Sequence, residues 1–264
     1  MNGTLITQAA DTVRLKADTL DAYLEYIRRT EGEMESALQG AGPFLWSDAS
    51  EDRSRQVSQG KVVAQLWSGK RPLNVPDGLI HDWIGATAIP NATIQQTFAT
   101  IQNYDNHKNI YKTEVLESRL ISHTGNDFEI YLRLLKKKVI TVVLDTDHKV
   151  HYFAVDPKRW CCWSYTTRIA EVEDGGKSTE KVLPADTGYG FLWRLYSYWR
   201  FQERDGSVYV ECRAISLTRD IPKGLAWIIE PIIRKLPRES LINILQATRQ
   251  ALSPGAGTRG PSNG

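Results

Sequence analysis

Glu211 and Arg213 stand two residues apart, so on a strand an acid and a base share one face. Enclosed in apolar surroundings, such a pair shifts both pKa values and can transfer a proton. His81 and Asp82 are direct neighbours, which puts them on opposite faces of a strand; they do not converge and read as structural groups at a sheet edge. His148 and His151 form an H-x-x-H pair with no third ligand nearby in sequence, so no metal is expected. They read as a solvated turn histidine and a sheet histidine. Cys161 and Cys162 are adjacent and point apart, so they neither chelate together nor pair, and reduced buried thiols are expected. Lys136, Lys137 and Lys138 read as a solvated turn able to touch an anionic membrane surface in passing. Tyr104 to Tyr111 reads as a polar loop. No G-x-S-x-G elbow, P-loop or G-x-G-x-x-G occurs, and no cofactor is expected.

The elements that must position these residues begin with composition. The chain has 264 residues, 41% hydrophobic and 24% charged, as in a globular protein with one large core. A net charge of +2 lacks the basic excess of a nucleic-acid binder. No apolar run approaches the roughly 20 residues of a membrane span. The opening stretch has neither a basic n-region nor an apolar core, so no signal peptide is expected; the expected location is cytoplasmic, or periplasmic if a targeting segment is missing. Eight Trp and eleven Tyr, many of them between Trp160 and Trp199, suggest a wide apolar interior.

Three segments follow from periodicity. Residues 1–75 are expected as an N-terminal helical extension that packs on the main domain, with a helix from about Thr12 to Gln39 and a polar loop from Ser47 to Gln59. Residues 76–252 form the main domain. It opens with a strand at Leu79–Ile89 and a helix near Ala92–Asn103. Antiparallel runs follow at Val115–His123, Phe128–Lys136, Val139–Asp145, Val150–Asp156, Trp160–Val172, Tyr189–Glu203 and Ser207–Asp220. Residues 253–264 are expected to be disordered by composition. The segment Leu225–Leu236, which carries Pro231, reads as a short broken helix or lid. A separate amphipathic helix then starts at Pro237, with Leu241, Ile244, Leu245, Thr248 and Leu252 on one stripe.

Alternation assigns faces. Phe191, Trp193, Leu195, Ser197, Trp199 and Phe201 form one uncharged set, and Val208, Val210, Cys212, Ala214 and Ser216 the set opposite. Both are placed inward, with Ile130, Leu132 and Leu134 from a third strand. The other faces carry Arg194, Arg200, Glu211 and Arg213, where Glu211 can pair with Arg200 or Arg194 across strands. The opposite register would bring Arg194, Glu211 and Arg213 inward as polar cavity groups. Leu241 and Leu245 would close the interior from the helix, and Ile228 and Ile232 from the lid.

The order of one strand, short helices, about six antiparallel strands and a long C-terminal helix resembles the helix-grip fold of the START-like and Bet v 1-like superfamily, which includes polyketide cyclases and lipid-transfer proteins. A last strand ending in Arg219-Asp220-Ile221-Pro222 before the amphipathic helix is similar to bacterial START-like proteins. The resemblance covers about residues 79–252 and implies an α+β fold, a curved sheet wrapped around the helix. It further implies an apolar small molecule or lipid held between them by Leu132, Trp193, Leu195, Trp199, Val210, Cys212, Ala214, Ile228, Ile232, Leu241 and Leu245, for carriage or sensing. Two other readings stay open: a cyclase or aromatase using Glu211 and Arg213, and an interaction protein whose core is filled.

Overall fold

The computed structural model describes residues 12–40, 42–67, 69, 71–137, 141–220 and 226–253, with 226–234 described by backbone alone. The N-terminal part supplies β1 (Val13–Arg14), α1 (Ala17–Gln39), a single 3-10 turn at Trp46–Ala49, α2 (Glu51–Ser58), β2 (Val63–Leu66) and β3 (Leu73–Val75). There follow β4 (Gly78–Pro90), α3 (Ile94–Ile101), α4 (His107–Ile110), β5 (Val115–Thr124), β6 (Asp127–Lys137), β7 (Thr141–Asp156) and β8 (Arg159–Glu173). The two-residue strands β9 (Lys181–Val182) and β10 (Thr187–Gly188) precede β11 (Arg194–Arg204), β12 (Ser207–Arg219) and α5 (Ala226–Leu252).

The main sheet runs β2-β4-β12-β11-β8-β7-β6-β5, every neighbour antiparallel, with β3 added to β4 and β9 to β8. Asp205 and Gly206, both at positive φ (51° and 68°), make the tight turn that reverses β11 into β12. α3 starts with a reciprocal cap: the Thr93 hydroxyl accepts from the Gln96 backbone while the Gln96 side chain accepts from Thr93 N–H. The curved sheet closes on α5, which packs mainly on β4. Gly85 permits that approach. A Cβ there would lie 2.9 Å from Leu245 Cδ1 and 3.2 Å from Leu241 Cδ2, so only glycine lets the helix seat. This is the α+β helix grip that the element order implied.

β4 is buried on both faces along nearly its whole length, because α5 covers one and the N-terminal elements the other. On the outer face Tyr23, Tyr26 and Ile27 of α1 pack on Ile80, Tyr198, Ile215 and Leu217. Leu45 and Val57 pack on Ala86, Ala88 and Tyr209.

Four local expectations differ. The polar stretch after Ser47 contains α2, started by the Ser50 hydroxyl accepting from Arg53 N–H and by Glu51 and Asp52 at the positive helix end. The loop Tyr104–Tyr111 holds a 3-10 turn and α4. The expected turn at Thr146–His148 is absent. β7 runs unbroken for 16 residues, with register shifts against β8 only between Asp147 and His148 and between Ala154 and Asp156, because β6 and β8 supply partners on both sides and no glycine or proline interrupts it. The C-terminal helix is likewise one piece from Ala226 to Leu252. Pro231 and Pro237 each delete one backbone donor, yet the proline φ is itself helical, so the helix continues through both.

Candidate ligand-binding cavity

The inward faces of the strands form rows across the sheet, and their register follows the pairing. His148, Thr166, Leu195, Ser216 and His81 make one row; Val150, Ser164, Ser197, Ala214 and Trp83 make the next; Tyr152, Cys162, Trp199, Cys212 and Gly85 a third. Many residues of these rows are small: Ser164, Ser197 and Ala214 in the second, Ser216 in the first, Cys162 and Cys212 in the third. Where serine, alanine and cysteine face α5, the helix and sheet do not meet, and a cavity of about 360 Å³ remains. Ile130, Leu132, Leu134 and Leu144 form its far wall, and Leu241, Ile244 and Thr248 its helical wall.

The α3 end is aromatic and apolar. Phe98 meets Trp160, Tyr152 and Phe201 edge-on at 5.2–5.4 Å, and Phe201, Tyr152 and Ile101 reach the cavity. Its hydroxyls satisfy one another: Tyr104 and Tyr152 share a 2.9 Å hydrogen bond, and Tyr111 is 3.0 Å from Thr248 Oγ1. Burial holds the Tyr104 and Tyr152 phenols well above their ordinary range, pushes Tyr111 up to about 12, and raises the Cys162 and Cys212 thiols as well. These are neutral groups at any ordinary pH.

The opposite end is polar. Glu114 and Lys136 form an ion pair there, Asn243 donates to Glu114 Oε1 at 2.9 Å, and Lys136 donates to Ser240 Oγ at 2.8 Å. Burial pushes the Lys136 ammonium down to about 8, while the adjacent carboxylate works to keep it charged. The rim segment at Tyr189–Phe191 is fixed by the buried Glu171 carboxylate, which accepts from Tyr189 N–H at 2.7 Å and Phe191 N–H at 2.9 Å. Gly188, at φ +137°, leaves the space: a Cβ there would lie 2.6 Å from Glu171 Oε2.

Three histidines line the cavity, and burial pushes each down to about 4, so all are neutral near pH 7. His107 Nε2 is 2.8 Å from Ile101 O and His148 Nε2 2.9 Å from Thr146 Oγ1. His81 Nε2 is 3.1 Å from Thr218 Oγ1. No cluster of three or more potential ligands for a metal ion exists among the described residues.

Of the residues singled out in the sequence, Leu132, Leu195, Trp199, Cys212, Ala214 and Leu241 line the cavity. Trp193 does not. It precedes β11, so strand alternation does not reach it, and it lies in the outer-face core with Tyr23 and Leu217. Val210 and Leu245 face inward but are packed in the solid core beside Phe201 and Gly85, away from the open volume. The side chains of Ile228 and Ile232 lie outside the described residues. Arg194, Glu211 and Arg213 are on the outer face. Arg194 pairs with Asp186 at 2.6 Å; Arg213 pairs with Asp82 at 2.5 Å; Glu211 lies across from Arg200 and accepts from Ser47 N–H at 3.3 Å. The acid–base pair proposed for cyclase chemistry therefore has no access to the cavity.

The sequence reading assigns His81 to a sheet edge, His148 to a turn or sheet position and Lys136 to a solvated turn; all three line the cavity, Lys136 within β6, and alternation contained the signal. His81 shares its face with Trp83, and Lys136 continues the series Ile130, Leu132, Leu134. His81 lies inside β4, paired with Ser216 of β12 on one side and facing the gap between β3, which ends opposite Ile80, and β2, which starts opposite Trp83; His148 is in mid-strand, with His151 exposed on the other face.

No protein-family model and no curated protein matches the chain. Solved structures of similar architecture include a STAR-related lipid transfer protein from Xanthomonas axonopodis, 16% identical over 72% of this chain and 98% of that one, with a TM-score of 0.45. Another is the Zhui aromatase/cyclase from Streptomyces sp. R1128, at 7% identity, 66% and 93% coverage and a TM-score of 0.44. Human STARD10 is 9% identical, with 75% and 79% coverage and a TM-score of 0.42. None of the three bears on what this cavity holds.

Proposed function

We propose that this chain, a START-like helix grip by its architecture, binds one apolar or amphipathic small molecule between its sheet and α5. The observation that supports the reading is the cavity itself: about 360 Å³ of space within an otherwise close-packed core, walled by leucine, isoleucine and aromatic side chains. That volume sits near the lower end of sites for drug-sized molecules, which favours a polycyclic or single-chain compound. Hydrogen-bonded phenols and apolar rings at the α3 end receive the apolar part of the ligand. The Glu114–Lys136 pair, with Ser240, faces its polar part. The buried cavity groups that titrate are held neutral or paired, and no activated nucleophile is among the described residues that line the cavity, so binding for carriage or sensing fits better than turnover. No helix among the described residues is long and apolar enough to cross a membrane.

The test is uptake of a fluorescent single-chain fatty acid, followed by energy transfer from tryptophan. Saturable uptake of one molecule per chain, weakened by Trp199→Ala, is the expected result. Uptake that never saturates, or that is indifferent to Trp199, contradicts the reading.

A further inference from the structure

His81 sits fully buried in the cavity wall, in the row that also carries Ser216. Its Nε2 is 3.1 Å from the Thr218 hydroxyl, and that hydroxyl in turn donates to Arg219 O at 3.2 Å. Threonine has a single hydroxyl hydrogen. With that hydrogen given to the carbonyl, Thr218 Oγ1 acts toward His81 as acceptor, and the imidazole hydrogen belongs on Nε2. The hydrogen-bond network thus assigns the tautomer, and Nδ1 keeps its lone pair. Among the described residues no group donates to Nδ1. Trp83 Nε1 and Thr87 Oγ1 also lack a hydrogen-bond partner among the described residues, but neither residue lines the cavity; Glu114 Oε2, which does, faces the Lys136 ammonium. A bare acceptor in a binding-site wall is a selective feature. A ligand that brings a donor satisfies it, and a ligand that brings only an acceptor or a methyl group leaves it unpaired.

We propose that His81 Nδ1 accepts a hydrogen bond from the ligand, so that the cavity selects apolar molecules bearing a hydroxyl or N–H donor, such as an alcohol or phenol, over the same skeleton with that group blocked. Thr218 is the positioning residue: it holds the tautomer without touching the ligand's donor. The inference rests on the binding reading above and adds a chemical class to it.

Naphthol and its methyl ether separate the two, because they share a skeleton and an oxygen and differ in the donor. Titrated against the natural protein by tryptophan fluorescence, naphthol is expected to bind about tenfold more tightly than the ether. His81→Phe should bring the ratio close to one. Thr218→Val, which keeps the imidazole but frees its tautomer, should also shrink the ratio. Nitrogen-15 NMR of the ligand-free natural protein reads the tautomer directly and needs no variant to fold; the expected signal is a protonated Nε2 and a bare Nδ1. Equal affinities in the natural protein, a ratio that survives His81→Phe, or a protonated Nδ1 would each overturn the assignment while leaving the binding reading intact. Uptake of neither probe would overturn the binding reading and this inference with it.

Discussion

On the outer face of β4 and β12, Asp82 accepts from Arg213 Nε at 2.9 Å and from Tyr26 Oη at 2.6 Å, and Arg213 stacks on Trp67 at 4.1 Å. On the inner face, one residue away on the same strands, His81 carries a bare nitrogen and Cys212 fronts open volume. Both faces are shielded from water, yet they are completed differently. Outside, the N-terminal elements supply partners for half-buried charges and a buried phenol: Asp48 for Arg204, Phe44 O for Arg200, Glu31 for the Tyr198 hydroxyl. Inside, α5 leaves a space the protein does not fill. Paired buried charges serve stability and orientation, whereas incomplete packing beside an unpaired acceptor costs stability and suits a ligand.

Asp82→Ala gives the sharpest break of this comparison. It leaves the Arg213 guanidinium buried without its carboxylate, and chemical denaturation should show a loss of about 3–5 kcal/mol. If stability is unchanged, the outer face is not the structural one. Trp193→Ala, in the outer core, should cost about 3–5 kcal/mol of stability and leave fatty-acid affinity per folded molecule unaltered. Trp199→Ala, its inner-face counterpart six residues on, should weaken that affinity about tenfold with a smaller loss of stability, as expected for a half-buried ring facing open space. Parallel titrations of the two variants decide whether the faces divide the work as described.

The faces also differ in the sign of their pH response. Burial beneath Ser47 pushes the Glu211 carboxyl up to about 7, above its ordinary 4.5, against the pull of Arg200. The folded state therefore binds that proton more tightly, and the contribution is full below pH 4.5 and lost as pH rises through about 7. His81, His107 and His148 act in reverse. Their values of about 4 lie below the ordinary 6.5, so their contribution is present above pH 6.5 and lost as pH falls through about 4. Glu211→Gln should flatten the decline in stability between about pH 5 and 7 and leave the acid limb in place. An unchanged profile would mean that the carboxyl is not held protonated by its burial.

The comparison also explains what the sequence could tell. Alternation located the inward residues of β11 and β12 correctly from Leu195 to Phe201 and from Cys212 to Ser216, because side-chain direction is a local property of a strand. It failed at Trp193, where the strand has not yet begun. It is silent on what covers the other face: it places Glu211 and Arg213 on an outer face and Asp82 at a sheet edge, and does not reveal that α1 and the 42–58 segment lie over them. Leu241 and Leu245 share one helical stripe, but only the first borders the cavity; Gly85 draws the second into contact with β4, and no periodicity within the helix encodes that. The Lys136–Glu114 pair was hidden for the same reason, since it depends on the placement of β5 and β6 against α5.

The central claim is that the space beneath α5 is a binding site, and native mass spectrometry of gently purified protein followed by solvent extraction tests it most directly. A single defined extra mass per chain, released as an apolar or amphipathic compound and reduced in occupancy by Trp199→Ala, is the predicted result. A bare protein mass that stays bare after incubation with apolar compounds would contradict the account.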